Sequence, residues 1–178
     1  MVKKMLIAMA GLPGTGKSAI AGNLGRRLHA PVLDKDDIRE KLFSSAAIDF
    51  SQEQDDLCME VIFLIAEYLL SVMPEQPVII DGRTFSRSYQ VEQLLSHAEA
   101  LKATPVIMEC ICDRAIAKER LDHDHRTGAH PAANRTYKLY LALEEQAEPI
   151  TVGHLTIDTG SESLEKSVDR CVAYLKNQ

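Results

Sequence analysis

The chain has no tryptophan, and aromatic residues make up only 5% of its 178 residues. Proteins that run along nucleic acid combine a basic groove with aromatic platforms. Here the net charge is −6, which argues against a long nucleic-acid partner. It does not argue against a local basic pocket, because net charge is a sum over the whole surface. No apolar run reaches the roughly 18 residues needed to cross a bilayer, so no membrane partner is expected. Cysteines are few: Cys58, Cys110, Cys112 and Cys171 lie inside apolar or helical patterns and suggest no disulfide framework. Alternation in VIMECIC predicts Cys110 and Cys112 on one face of a strand, as small buried hydrophobes rather than half of a metal site. The opening MVKKMLIAMA is basic and then apolar, but it runs straight into a glycine-rich motif that signal-peptide cleavage would destroy. A cytoplasmic location is therefore expected. Repeats, low-complexity tracts and Pro/Gly/Ser linkers are also missing, so residues 1–178 read as a single domain large enough to bury a core.

What is present alternates. Short apolar runs at Lys4–Ala10, Pro31–Asp34, Pro77–Asp81, Thr104–Ile111 and His154–Asp158 have the continuous character of parallel strands covered on both faces. Helical patterns separate them: Lys17–His29, Gln52–Met73, Ser88–Lys102, Arg114–Leu121, Arg135–Gln146 and Glu162–Lys176. In the second of these, Leu57, Val61, Leu64, Ile65, Tyr68 and Val72 recur at helical spacing and are expected to face the core. The pattern predicts an α/β fold with a mostly parallel five-stranded sheet between helical layers. Ligands of such sheets bind at the carboxyl ends of the strands.

The strongest chemical signal lies at the first of those ends. Residues Gly11–Ser18 read GLPGTGKS and satisfy G-x-x-x-x-G-K-[ST] without a mismatch, between an apolar strand and an amphipathic helix. Gly11, Gly14 and Gly16 let the backbone aim its N–H groups inward, and the helix that follows presents its positive end to a phosphate. Pro13, Thr15 and Ala19 complete the cradle, Lys17 is placed to reach the β- and γ-phosphates, and Ser18 to ligate Mg²⁺. The motif implies a nucleoside triphosphate. An Asn/Thr-Lys-x-Asp segment for reading guanine is missing, and the short chain lacks room for motor relay segments.

The remaining candidates are acids and arginines near other strand ends. Asp36, in LDKDDIREKL, could orient a nucleophilic hydroxyl and accept its proton, or cap the helix that starts near Asp37. Arg39 falls on the same helix face three residues later. Asp34 reads as a turn residue or a partner of Mg²⁺-bound water. Asp81 ends the apolar run PVIID and suits a residue that holds Mg²⁺ through water. Arg83 and Arg87 follow it, where a substrate could be held. The polar stretch Asp122–Ala133 contains Gly128 and Pro131 and reads as a mobile lid, with Arg120 and Arg126 placed to stabilise charge on a transferring phosphoryl group. Asp158 and Thr159, after the last strand, could pack against the nucleobase.

In this order the segments GLPGTGKS, LDKDDIR, VIIDGRTF, AKERLDHDHR and LTIDT resemble those of small P-loop kinases: phage polynucleotide 5′-hydroxyl kinase, zeta toxins, adenylylsulfate kinase, gluconate kinase and the polynucleotide-kinase-like group labelled AAA-type ATP-binding proteins. The resemblance covers nearly the whole chain. It implies a three-layer P-loop sandwich, adenylate-kinase-like with a lid, that transfers the γ-phosphoryl group of Mg·ATP to a hydroxyl of a small molecule. It also implies Asp36 as the catalytic carboxylate, Lys17 and Ser18 as ATP·Mg²⁺ ligands, Arg39 on the substrate side, and Arg120 and Arg126 as lid arginines. The later substrate motifs of adenylylsulfate kinase and the His-Pro segment of gluconate kinases are missing, and Asp81 is followed by Gly82-Arg83-Thr84. The acceptor is thus left open, with a nucleic-acid 5′-hydroxyl kinase and a non-catalytic ATP-binding regulatory module as the alternatives.

Overall fold

The computed structural model describes residues 3–127 and 134–178. Its elements run β1 (Met5–Ala10), α1 (Lys17–Leu28), β2 (Val32–Asp34), α2 (Lys35–Leu42), α3 (Gln52–Val72), β3 (Val78–Asp81), α4 (Ser88–Ala100), β4 (Thr104–Ile111), α5 (Arg114–Thr127), α6 (Tyr137–Glu145), β5 (Leu155–Asp158) and α7 (Leu164–Leu175). All four strand pairings are parallel, in the order β2-β3-β1-β4-β5. The fold is the expected P-loop kinase sandwich.

The central strand shows how three layers arise from a two-residue period. Leu6, Ala8 and Ala10 join the core under α3 and α4, with Met59, Ile62, Phe63 and Leu94. Ile7 and Met9 point the other way, toward Ile20 and Leu24 of α1 and Val168 and Cys171 of α7. Both faces of β1 are dry, so its sequence is continuously apolar. Strand β1 lies between β3 and β4, and the chain crosses from one side to the other around it. That crossing makes the crevice above its carboxyl end the natural place for a ligand.

Helix α3 departs from the expected phase. Its sheet-facing side is Cys58, Met59, Ile62, Phe63, Ala66 and Leu70, while Leu57, Leu64, Tyr68 and Val72 stay exposed and Val61 and Ile65 half-buried. The helix carries apolar residues on two faces, so periodicity alone could not select which one meets the sheet. The chosen face includes small residues, Cys58 and Ala66, that let helix and sheet approach. Cys112 also departs from expectation: it lies beyond the end of β4, half-buried, with its Sγ 3.8 Å from the Gly14 carbonyl, whereas Cys110 is fully buried in the strand. The Cys110 thiol is pushed up to about 12, chiefly by burial, as befits a packing residue. No helix among the described residues is long and apolar enough to cross a membrane.

Candidate active site

The loop from Gly11 to Gly16 wraps a concavity at the carboxyl end of β1. Its backbone requires glycine at Gly11: φ is +126°, and a Cβ there would lie 2.2 Å from the Cys110 carbonyl oxygen. The Gly11 N–H donates to the Thr84 carbonyl at 2.9 Å, which ties the loop to the segment after β3. Thr15 is buried and donates its hydroxyl to the Leu12 carbonyl at 2.8 Å. Pro13 and Gly14 are also buried, whereas Ser18 and Ala19 at the start of α1 are exposed. Lys17 folds over the loop, and its Nζ donates to the carbonyls of Gly11 at 2.7 Å and Leu12 at 2.9 Å. Burial pushes its pKa down to about 8, against the attraction of Asp81. An ammonium has three donors, so one N–H of Lys17 remains for a phosphate.

Arg120 closes the other side. Its guanidinium donates to the Gly14 carbonyl at 3.2 Å, the Thr159 hydroxyl at 2.9 Å and the Thr159 carbonyl at 2.9 Å. Thr159 in turn donates to the Thr15 carbonyl at 2.7 Å. The turn after β5, the loop and α5 are thus clamped together, and a second cavity beside this clamp is lined by Gly16, Ala19, Arg120, Arg135 and Thr159. Asp158 accepts from the Gly160 N–H at 2.9 Å, which together with Ser161 holds its carboxyl below the usual range. Its role in the structure is to shape this turn.

Three carboxylates meet at the ends of β2 and β3. Asp34 and Asp81 are register partners on adjacent strands. Asp34, not Asp36, caps α2: its Oδ1 accepts from the Asp36 N–H at 2.7 Å and the Asp37 N–H at 3.3 Å. The helix begins at Lys35, two residues earlier than the pattern suggested, which leaves the Asp36 side chain in the first turn and available to the cleft. Asp34 titrates near 6, raised first by burial and then by the neighbouring Asp81. Asp81 is fully buried and its Oδ1 has no hydrogen-bond partner. Gly82 makes the crowding feasible, since a Cβ there would lie 2.7 Å from the Lys35 nitrogen and 3.0 Å from Asp34 Oδ1. The orphaned Asp81 oxygen beside the Asp34 carboxylate, together with the Ser18 hydroxyl at the head of α1, offers only oxygen donors. Such a set suits a hard divalent cation of the Mg²⁺ type that keeps several of its waters.

Beyond these acids opens a cleft lined by Lys17, Ser18, Asp36, Arg39, Arg83 and Arg135, among others. Its walls are built from ion pairs, most of them joining different elements. Arg39, almost fully buried, donates to Asp36 at 2.5 Å and to Asp55 of α3, and its guanidinium lies 5.1 Å from the Phe50 ring centroid. Buried Lys35 donates to Asp55 at 2.7 Å and lies 3.8 Å from Asp36. Arg83 donates to Asp56 at 2.5 Å and to the Tyr89 hydroxyl at 3.1 Å. Lys35, Asp55, Asp56 and Tyr89 were not expected from the sequence. Asp55 and Asp56 stand in the opening turns of a long helix, where acids are ordinary, and only the packing of α3 beside α2 brings Asp55 to the cleft and Asp56 to Arg83.

Two arginines are placed otherwise than expected. Arg126 is exposed on α5 and donates to the Asp122 carbonyl at 3.3 Å, away from the cleft. The reason is that residues 122–127 are helical rather than loop: α5 runs on to Thr127, braced by the Lys118–Asp122 pair at 2.5 Å. Residues 128–133 of the expected lid lie outside the described residues. Arg135, half-buried and 3.6 Å from Asp124, lines both cavities instead. Arg87 lines the cleft but engages Gln146, at 2.9 Å through its carbonyl and 2.8 Å through its side chain, so it fastens the segment after α6.

Comparison with known proteins gives the arrangement a setting. A model of the AAA domain family matches residues 6–143. The chain is 28% identical to an adenylyl-sulfate kinase of Bacillus pumilus, over 99% of this chain and 87% of that protein. It is 25% identical to a shikimate kinase of Desulforudis audaxviator, over 97% of this chain and 87% of that protein. Among solved structures, the APS kinase of Mycobacterium tuberculosis in complex with AMPPNP and APS shares the fold, with a TM-score of 0.73, 16% identity and coverage of 99% of both chains.

Proposed function

The chain belongs to the AAA domain family, and from that premise we propose that it is an ATP-dependent kinase that moves the γ-phosphoryl group of Mg·ATP onto a hydroxyl of a small-molecule acceptor. One observation carries the reading: the phosphate loop with Lys17 and the Asp36 carboxylate line the same cleft, with space between them. A protein that only senses ATP has no need of a carboxylate in the same cleft as the phosphate loop. Two relatives are kinases by name, which supports the class without naming this acceptor.

The chemistry follows from the residues. The loop N–H groups and Lys17 hold the phosphates and offset their charge. Ser18, with Asp81 and Asp34 through water, would hold Mg²⁺, which would supply Lewis-acid neutralisation of the phosphate oxygens. Asp36 accepts a hydrogen bond from the acceptor hydroxyl and takes its proton as the acceptor oxygen bonds to the γ-phosphorus. The bridging P–O bond breaks and ADP leaves. Arg39 holds Asp36 in place at 2.5 Å. Arg120, clamped to the loop, and Arg135, which borders both cavities, would balance charge spread over the transferring group. The cleft volume is about 260 Å³, just below the usual range of small-molecule sites, a size that suits a small acceptor. The test is ADP formation with Mg·ATP against a panel of sugars, polyols, hydroxy acids, nucleosides, adenylyl sulfate and oligonucleotides with free 5′-hydroxyls. One class of small acceptor should stimulate ADP release at least 100-fold above water. Stimulation by oligonucleotides alone would replace the acceptor class, and a slow rate that no compound moves would favour the regulatory module.

A further inference from the structure

The acceptor side of the cleft has its charges turned inward. The four cations there, Lys35, Arg39, Arg83 and Arg87, pair with four carboxylates, Asp36, Asp55, Asp56 and Glu148, so that formal charge cancels. Three of the cations are also shut away: the side chains of Lys35, Arg39 and Arg83 are 9%, 3% and 3% exposed. Of the remaining cations in the lining, Lys17 serves the phosphate loop and Arg135 borders the second cavity. An anion entering on this side meets ion pairs that are already closed, and taking its charge out of water without a free partner is unfavourable.

What the cleft offers a ligand instead is apolar. Helix α6 packs on α5 through Tyr140, buried with Ala117 and Leu121. Leu139 and Leu143, four residues apart on another face of α6, line the cleft. Both are half-buried, and among the described residues neither joins a core cluster. Phe50 is like them: half-buried, outside every cluster, and part of the lining from the connection between α2 and α3. Its φ is +54°, a left-handed conformation that an aromatic residue adopts only at a cost, and strain of this kind collects at ligand sites. Two elements far apart in sequence thus bring apolar side chains to one concavity that folding itself does not fill. Gln52, Asn134 and Gln146 add polar groups without charge. A concave site of apolar side chains with a few neutral polar groups is the usual make-up of a small-molecule pocket.

We propose that the acceptor of this kinase is an uncharged alcohol carrying an apolar ring, with the ring against Phe50, Leu139 and Leu143 and the hydroxyl at Asp36. The inference rests on the kinase reading of the same cleft and names the class of acceptor. A ring buries apolar area while losing little conformational freedom, and a cleft of about 260 Å³ admits one with a short hydroxylated arm. Selection then comes from shape and apolar contact. The buried ion pairs hold the walls, and Asp36 alone among the charged groups meets the reacting hydroxyl.

The experiment keeps the two claims separate. Mg·AMPPNP first fills the triphosphate site of protein labelled at its leucine methyls, and its own affinity is recorded. Three diols that differ only in the group beside the hydroxyls are then titrated: phenylethanediol, glycerol and glycerate. In methyl NMR spectra, phenylethanediol should shift the Leu139 and Leu143 resonances at millimolar concentration, as an aromatic ring laid against them does. It should bind about 10-fold more tightly than glycerol or glycerate. Leu143→Asn should abolish that preference with AMPPNP affinity within about 2-fold of wild type, whereas Leu143→Met, which keeps the apolar volume, should retain it. Glycerol or glycerate binding as tightly as phenylethanediol, no diol binding with AMPPNP in place, or a preference unchanged in Leu143→Asn overturns the ring site and leaves the kinase reading intact. Failure of AMPPNP itself to bind wild-type protein removes the kinase reading on which the ring site depends.

Discussion

The two sides of the cleft are built by different means. On the nucleotide side, the cations hold the backbone: Lys17 donates to Gly11 and Leu12 carbonyls, and Arg120 to those of Gly14 and Thr159. On the acceptor side, Lys35, Arg39 and Arg83 hold carboxylates of another helix: Lys35 and Arg39 of α2 reach Asp55 of α3, and Arg83 reaches Asp56 of α3. A backbone-built site depends on local φ and ψ and tolerates little change in its glycines. A side-chain-built site depends on how helices pack and can be rewired one pair at a time. The division suits a protein whose donor is common to many enzymes and whose acceptor is its own.

The largest expected effect is on the nucleotide side. Gly11→Ala puts a methyl group 2.2 Å from a backbone oxygen at a φ of +126°, so the loop must move. ATP affinity, measured calorimetrically, should fall about 100-fold, as expected where binding needs a backbone that only glycine adopts. A loss below 3-fold would show that the loop is not backbone-determined. Next comes a change on the acceptor side. Asp55→Asn leaves two buried cations, Lys35 and Arg39, sharing Asp36 alone. Breaking such a partly buried network should cost about 1–3 kcal/mol, a drop in Tm of very roughly 3–10 °C. ATP affinity should hardly change. An equal loss of ATP affinity would erase the distinction between the sides.

Protonation sharpens the comparison further. Lys17 titrates near 8 in the folded protein, and bound phosphates favour its charged form. ATP affinity should therefore be flat from pH 7 to 7.5 and weaken by up to about 10-fold per unit above pH 8. Lys17→Met should remove the slope; a slope that survives would assign it to another group. The smallest effect concerns Asp34, whose folded pKa of about 6 lies above its ordinary 3.8. Between those values the folded state binds more protons than the unfolded, so this group's contribution to stability falls as pH rises through 6 and stays low above it. Asp34→Asn keeps the helix cap and removes the charge. It should raise the Tm of metal-free protein by a few degrees at pH 7.5 and not at pH 4, while weakening the stabilisation gained from Mg·ATP. A Tm lowered at pH 7.5 would mean that the cap, not the charge, dominates.

The same division explains what could be read in advance. Gly11–Ser18 was legible because its chemistry is encoded in eight consecutive residues. Asp36 and Arg39 were legible because helical spacing joins them, and Asp81 because it ends a strand. Lys35, Asp55 and Asp56 were not, because their meeting depends on which face α3 turns to the sheet. That helix offers two apolar faces, and the sequence pattern favoured the one that is exposed. Arg126 was misplaced for a related reason: Asp122–Thr127 reads as polar loop until i,i+4 pairing extends α5 through it.

The central claim is that the two sides act on one phosphoryl group, with Asp36 as the link. It is tested most directly by ³¹P NMR of Mg·ATP with the acceptor found in the panel, comparing wild-type protein with Asp36→Ala. The account predicts a new phosphomonoester resonance growing in step with ADP for the wild type. For Asp36→Ala it predicts a rate lower by about 10²–10⁴-fold, with ATP affinity within about 3-fold of wild type. Phosphomonoester formation at the wild-type rate in Asp36→Ala, or ADP appearing only with inorganic phosphate in the wild type, would contradict it.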